Sequence, residues 1–222
     1  MKKFIVVLTS ILLVSCTRPT TEKNLKVQGD RLVSDVPSFT IALPSPFQLI
    51  DFSSTEYPEK NSQTRVYLFV HEKNKEVEQL LIVQIADKTD PRAEPMTVPP
   101  LTPDTEARLY LKDRLEKEKA DVEYLIQLIS WNPQSPSLQP ILKKGIGISP
   151  RWVLQGQFLF SYGGESAVFV KYSRDVNSFG VKVSVKGDEW NRGSISGNET
   201  KVYESFKKDF VGMIDSLTFR RP

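Results

Sequence analysis

Residues 104–128 read DTEARLYLKDRLEKEKADVEYLIQL, and the fold class turns on what they form. Asp104 has the short acceptor side chain favoured at helix N-caps. Behind it Ala107, Leu111, Leu115 and Val122 recur at spacings near those of a helix. Arg108, Lys112, Glu116 and Lys119 lie between them and supply an outer face of mixed charge. The pattern predicts a helix over residues 105–128.

On its N-terminal side, residues 91–103 are rich in proline and without apolar periodicity, which predicts a long loop. Residues 132–140 break the chain again on the other side. Further out the strand signals are clearer. "LKVQGDRLVS" predicts two strands around Gly29-Asp30. "SFTIALPSPFQLIDF" alternates at Phe39, Ile41 and Leu43 until Pro44 and Pro46 stop it. "RVYLFVHEKN" and "EQLLIVQIADK" predict a hairpin whose polar loop spans residues 72–76. In the C-terminal half, "RWVLQGQFLFSY" and "SAVFVKYSRD" flank Gly163-Gly164, a dipeptide able to take the positive φ of a tight turn. "FGVKVSVKG" alternates Val181, Val183 and Val185 and predicts a further strand, followed by a loop over residues 188–198. Val202, Phe206, Phe210, Met213 and Leu217 then form one apolar stripe on a closing helix. The order of strands, helix, strands, helix predicts an α+β domain, an antiparallel sheet flanked by helices.

The extreme N-terminus has a different logic. Lys2 and Lys3 precede an apolar run over residues 4–14, too short for a membrane span, which needs ~20 residues, and of signal-peptide length. Ser15 and Cys16 follow, and Cys16 is the chain's single cysteine. No second cysteine exists to make an intramolecular disulfide. Leu13-Val14-Ser15-Cys16 resembles the bacterial lipobox, which implies a lipid on Cys16 and cleavage before it. Residues 1–15 are thus expected to be a lipoprotein signal peptide and residues 16–24 a polar, lipidated tether. Residues 25–222 are expected to form one domain. Thr17 resembles an outer-membrane sorting signal, so the expected location in a Gram-negative cell is the periplasmic face of the outer membrane, with the protein attached through its acyl chains.

Thirty basic and twenty-seven acidic side chains give a net charge of +3. Loss of Lys2 and Lys3 with the signal peptide leaves about +1. Such a balance supplies no field to attract nucleic acid. Catalytic and metal-binding patterns are sparse. His71 is the only histidine, while metal sites usually need three or four ligands, so a solvated position at a loop edge is expected. "KKGIGISP" lacks the order of a phosphate-binding loop, and there is no G-x-S-x-G elbow. No cofactor, no metal and no enzymatic activity are expected. Trp152 is expected in the core. Trp190, beside Arg192 in a predicted loop, is either an exposed binding residue or a side chain packed over a sheet edge.

Three stretches together resemble the PsbP-like group of α/β/α sandwich proteins, which includes bacterial lipoproteins. They are "FTIALPSPF", "AVFVKYSRDVNSFGVKVSVKGDEW" and "FKKDFVGMIDSLTF", and the resemblance covers residues 33–219. It implies the sandwich fold and a non-enzymatic role in docking or assembly on an unidentified membrane-associated protein. Binding of a small ligand, a lipid or a cell-wall fragment, is the alternative. Loops as long as residues 91–103 and 188–198 are often functional. Met96, Val98 and Leu101 in the first, with Trp190 and Arg192 in the second, are the candidate partner contacts; tolerated surface insertion is the simpler explanation of both loops.

Overall fold

The computed structural model describes residues 24–117, 120–149, 151–180, 190, 195 and 197–219. The chain opens with β1 (Leu25–Gln28) and β2 (Arg31–Ser34), which pair around Gly29 at φ +62°. Next come β3 (Phe39–Ala42), β4 (Gln48–Tyr57), β5 (Ser62–Lys73) and β6 (Glu76–Lys88). The β5–β6 turn is tighter than the expected five-residue loop. Only Asn74 and Lys75 lie outside the strands, both at positive φ, as a two-residue turn that matches strand twist requires. After the proline-rich segment come β7 (Tyr110–Lys117), β8 (Ala120–Ser130) and the short α1 (Gln139–Lys143). The chain continues through β9 (Trp152–Tyr162), β10 (Ser166–Asp175), α2 (Gly197–Asp215) and β11 (Thr218–Phe219).

Among the described residues all strand pairs are antiparallel, in two sheets. One has four strands in the order β1-β2-β3-β11, and the other has seven in the order β4-β5-β6-β10-β9-β8-β7. The β6–β10 pairing, from Ser166 opposite Asp87 to Arg174 opposite Gln79, joins the two halves of the chain into the large sheet. This architecture overturns the expected α+β sandwich with helices on both sides of a sheet. The protein is mostly β, and among the described residues its α-helices are α1, of five residues, and α2, of nineteen.

The largest single correction is at residues 105–128. They form no helix but a turn and the β7–β8 hairpin, with Leu115 opposite Val122 and Leu111 opposite Ile126. A spacing of four, as in Ala107, Leu111 and Leu115, fits a period of two as well as a period of 3.6, so those positions do not discriminate. The decisive run is Val122, Tyr124, Ile126 and Leu128, apolar at every second position and buried throughout. Asp104 does cap a turn. Its side chain accepts the Glu106 N–H at 2.9 Å, and the Ala107 N–H reaches the Asp104 carbonyl at 3.1 Å, but the chain then extends. The alternating charges sit on the edge strand β7 and pair across strands, as in Arg114 to Glu123 at 3.2 Å. Charge along an open edge also opposes further strand addition.

One face of the large sheet is covered by the small sheet and α2. Phe39 meets Phe160 edge-on at 5.6 Å, and Phe160 meets Phe219 at 5.5 Å. Val202, Phe206, Phe210 and Met213 of α2 are buried against this face as expected; Leu217 is buried just beyond the helix end. Phe206 stacks on Tyr172 at 5.3 Å, and Phe210 packs against Phe158 at 5.8 Å. Gly156 in β9 makes this close approach possible, because a Cβ there would lie 2.4 Å from the Phe210 ring. Trp190 is fully buried in the same core. The expected strand around Val181, Val183 and Val185 lies outside the described residues.

The opposite face of the large sheet is covered by α1 and irregular chain. Trp131, Leu138, Ile141, Ile146 and Ile148 pack over Ile50, Leu68 and Leu80 at one end. Leu101 and Val98, from the proline-rich segment, pack over Leu125, Leu159 and Phe169.

Candidate functional site

The proline-rich segment is a strap laid across the outer face of the large sheet. Pro95, Pro99, Pro100 and Pro103 fix φ and have no N–H to donate. Two N–H groups between them, and that of Asp104 just after them, are taken up by the fold. Met96 N donates to the Gly164 carbonyl at 2.9 Å, in the β9–β10 turn. Leu101 N donates to Glu123 Oε1 at 2.5 Å, and Asp104 N to Gln127 Oε1 at 2.8 Å, both in β8. Lys112 Nζ donates to the Leu101 carbonyl at 2.7 Å. The strap is thus held at both ends.

Glu123 is the centre of the second anchor. Lys112 lies 2.9 Å from Oε1 and Arg114 3.2 Å from Oε2. Burial pushes its carboxyl up, but the hydrogen bonds from Lys112, Leu101 N–H and Arg114, with the Lys112 charge, outweigh it and hold the pKa below the ordinary glutamate value.

Between strap and sheet lies a cleft of about 380 Å³. Its floor is Ala86 of β6, Ala167 and Phe169 of β10, and Leu159 of β9. Gln84 and Gln157 add amides, and the strap contributes the Met96–Leu101 wall. On the strap's other side a 290 Å³ depression is bounded by Val98, Pro99, Pro100, Arg114, Asp121 and Glu123. The cleft has the size and mixture typical of small-molecule sites, apolar walls with a few polar groups. A wider depression of 420 Å³ beside Arg108, Ser130 and Trp152 is lined mostly by polar groups.

Beyond Gln157 the floor becomes a ladder of buried amides. Gln155 Oε1 accepts from Gln127 Nε2 at 3.0 Å and from Gln157 Nε2 at 2.6 Å, while Gln155 Nε2 donates to Ser173 Oγ at 3.2 Å. Lys171 stands in the same row, opposite Gln157 on β9 and Ile82 on β6. Its ammonium is 5.7 Å from the centre of the Phe169 ring. Burial pushes this amine below the usual lysine range, and Asp104 partly offsets the shift.

The residues singled out from sequence fall in different places. Met96, Val98 and Leu101 meet at the strap cleft, with Leu101 turned inward and buried. Trp190 is fully buried in the main core, so it is not an exposed binding residue. Arg192 and Cys16 lie outside the described residues. Trp152 is half-buried and borders the wide depression. His71 lies near the end of β5, beside the Asn74-Lys75 turn, and is partly exposed. Its Nδ1 lies 2.9 Å from the Pro46 carbonyl, a contact that places the proton on Nδ1, and Nε2 is 3.7 Å from Glu78 Oε2. Sequence reasoning missed Gln84, Gln157, Phe169 and Lys171. The available signal was polar residues at outward positions of strands that are otherwise apolar, as in the "QGQ" of β9 and the lone lysine of "VFVKY".

No family model, no curated protein and no solved structure matches the chain.

Proposed function

We propose that this chain is a lipid-anchored, non-enzymatic binding protein of the bacterial cell envelope, and that the strap cleft receives a small, largely apolar ligand. The observation that carries the reading is the 380 Å³ cleft itself, with Phe169, Leu159 and Val98 for an apolar body and Gln84 and Gln157 for orientation. The strap is anchored before any ligand arrives, so little ordering cost is left for the binding step. The anchor part of the proposal rests on Lys2, Lys3, the apolar run of residues 4–14 and Ser15-Cys16. Lipid on Cys16 would hold the domain at the membrane surface and raise the local concentration of any ligand or partner there.

A second reading, docking of a membrane-associated protein, is favoured by the exposed Pro95, Pro99 and Pro100 on the strap. Rigid proline-containing chain loses little entropy when it binds. The two readings separate in one experiment. Ala167→Phe fills the floor of the cleft and leaves the outward, exposed side of the prolines in place. Binding of the uncharged fluorophore N-phenyl-1-naphthylamine to the mature protein should be lost in Ala167→Phe with its melting temperature nearly unchanged. Equal binding by both proteins would refute the ligand reading and leave docking on the strap.

A further inference from the structure

We infer that the ligand of the strap cleft is an anionic amphiphile, whose apolar body lies on Phe169 and Leu159 and whose single carboxylate meets the ammonium of Lys171. The inference rests on the reading of the cleft as a ligand site. Lys171 is half-buried on the outer face of β10, two residues along the strand from Phe169 and directly across from Gln157. Both of those neighbours line the cleft. Among the described residues its ammonium has no hydrogen bond and no ion pair, and it lies over the Phe169 ring, 5.7 Å from its centre.

The charges around it are otherwise engaged. Glu123 is shared by Lys112, Arg114 and the Leu101 N–H. Asp104 accepts the Glu106 N–H and acts on Lys171 only through space. An uncharged ligand lying over Phe169 would strip water from the ammonium and return nothing. A carboxylate at the same end of the ligand would replace that water with a charge-assisted hydrogen bond. The Gln127–Gln155–Gln157 ladder presents amide dipoles beside it, in a setting where such bonds are stronger than in water.

The test compares octanoate with 1-octanol, which share a chain and differ in the head, by calorimetry on the mature protein and on Lys171→Met. Methionine keeps the length and apolar stem, so the unfolding midpoint should hold. The wild type is expected to bind octanoate roughly tenfold or more tightly than octanol, the factor a hydrogen bond to a charged group supplies. Lys171→Met should abolish that preference, weakening octanoate binding while octanol, relieved of the cost of desolvating the ammonium, binds at least as tightly as before. As a check without a variant, octanoate but not octanol should protect Lys171 from acetylation by acetic anhydride, read by peptide mass spectrometry. Equal affinity for the two probes in the wild type, or a preference that survives Lys171→Met, would overturn the inference. In that case loss of octanol binding in Ala167→Phe would still uphold the cleft as the site. Octanol binding untouched by Ala167→Phe would remove the cleft and the inference together.

Discussion

Replacing Gly156 by alanine would set a methyl group 2.4 Å from the Cδ2 and Cε2 atoms of Phe210, inside any van der Waals limit. Phe210 cannot step aside freely. It is fully buried, lies 6.0 Å from the Phe206 ring and touches Tyr124 and Phe158 as well. Either the ring leaves its rotamer or α2 lifts from β9, and overpacking of this kind costs about 1–3 kcal/mol. Phe210→Ala removes the ring and opens a cavity, at a cost of about 3–5 kcal/mol. If the two sites were independent, the double variant would lose about 4–8 kcal/mol. They are not independent, because the alanine methyl at 156 enters the space the ring has vacated. The double variant should therefore be no less stable than Phe210→Ala alone, a coupling of at least ~1 kcal/mol. Urea unfolding followed by circular dichroism measures all four proteins. Additive losses would mean that α2 does not cross β9 at Gly156, and the packing of the helix on the sheet would have to be redrawn.

Four further outcomes follow from the same physical reasoning. Asp87→Ala leaves Arg65, 6% exposed, without the carboxylate 3.1 Å from its Nε, and should lose about 3–5 kcal/mol. Asp35→Ala breaks only the exposed pair with Lys26 and should change the urea midpoint hardly at all. The folded pKa of Glu123 is depressed, so its contribution is complete above the unfolded value of ~4.3 and is lost as pH falls through the lower folded one; Glu123→Gln should flatten this part of the stability–pH curve, and an unchanged curve would contradict the second strap anchor. Mass spectrometry of the mature protein should find an acylated N-terminal Cys16, with Cys16→Ala retaining residues 1–15; a soluble, unmodified chain would refute the anchor.

Two hairpins were legible in sequence because they carry their own turn chemistry: Gly29, and Gly163 with Gly164, take positive φ between the strands they join. The stripe of α2 was legible because Val202, Phe206, Phe210 and Met213 follow the helical period over several turns. The β7–β8 hairpin was not, since its first apolar positions are four apart and its charges mimic a helix surface. Trp190 shows a different limit. Its neighbours in sequence are polar, and only the packing of distant elements makes it core. The strap was visible as a long proline-rich loop with Met96, Val98 and Leu101 as its apolar residues, but not the direction they face. The cleft floor depends on non-local pairing: Gln84 meets Phe169, and Lys171 meets Gln157, only through the register of β6, β10 and β9. No local pattern records that register, so the residues that give the cleft its chemistry could not be assembled from the sequence.

Whether the strap cleft is a ligand site is decided by mapping amide chemical-shift changes when N-phenyl-1-naphthylamine is added to the isotopically labelled mature protein. Changes should centre on Gln84, Met96, Val98, Leu101, Gln157 and Phe169. Changes centred instead on Arg108, Ser130 and Trp152, or spread over the face that carries α2, would contradict the cleft as the site.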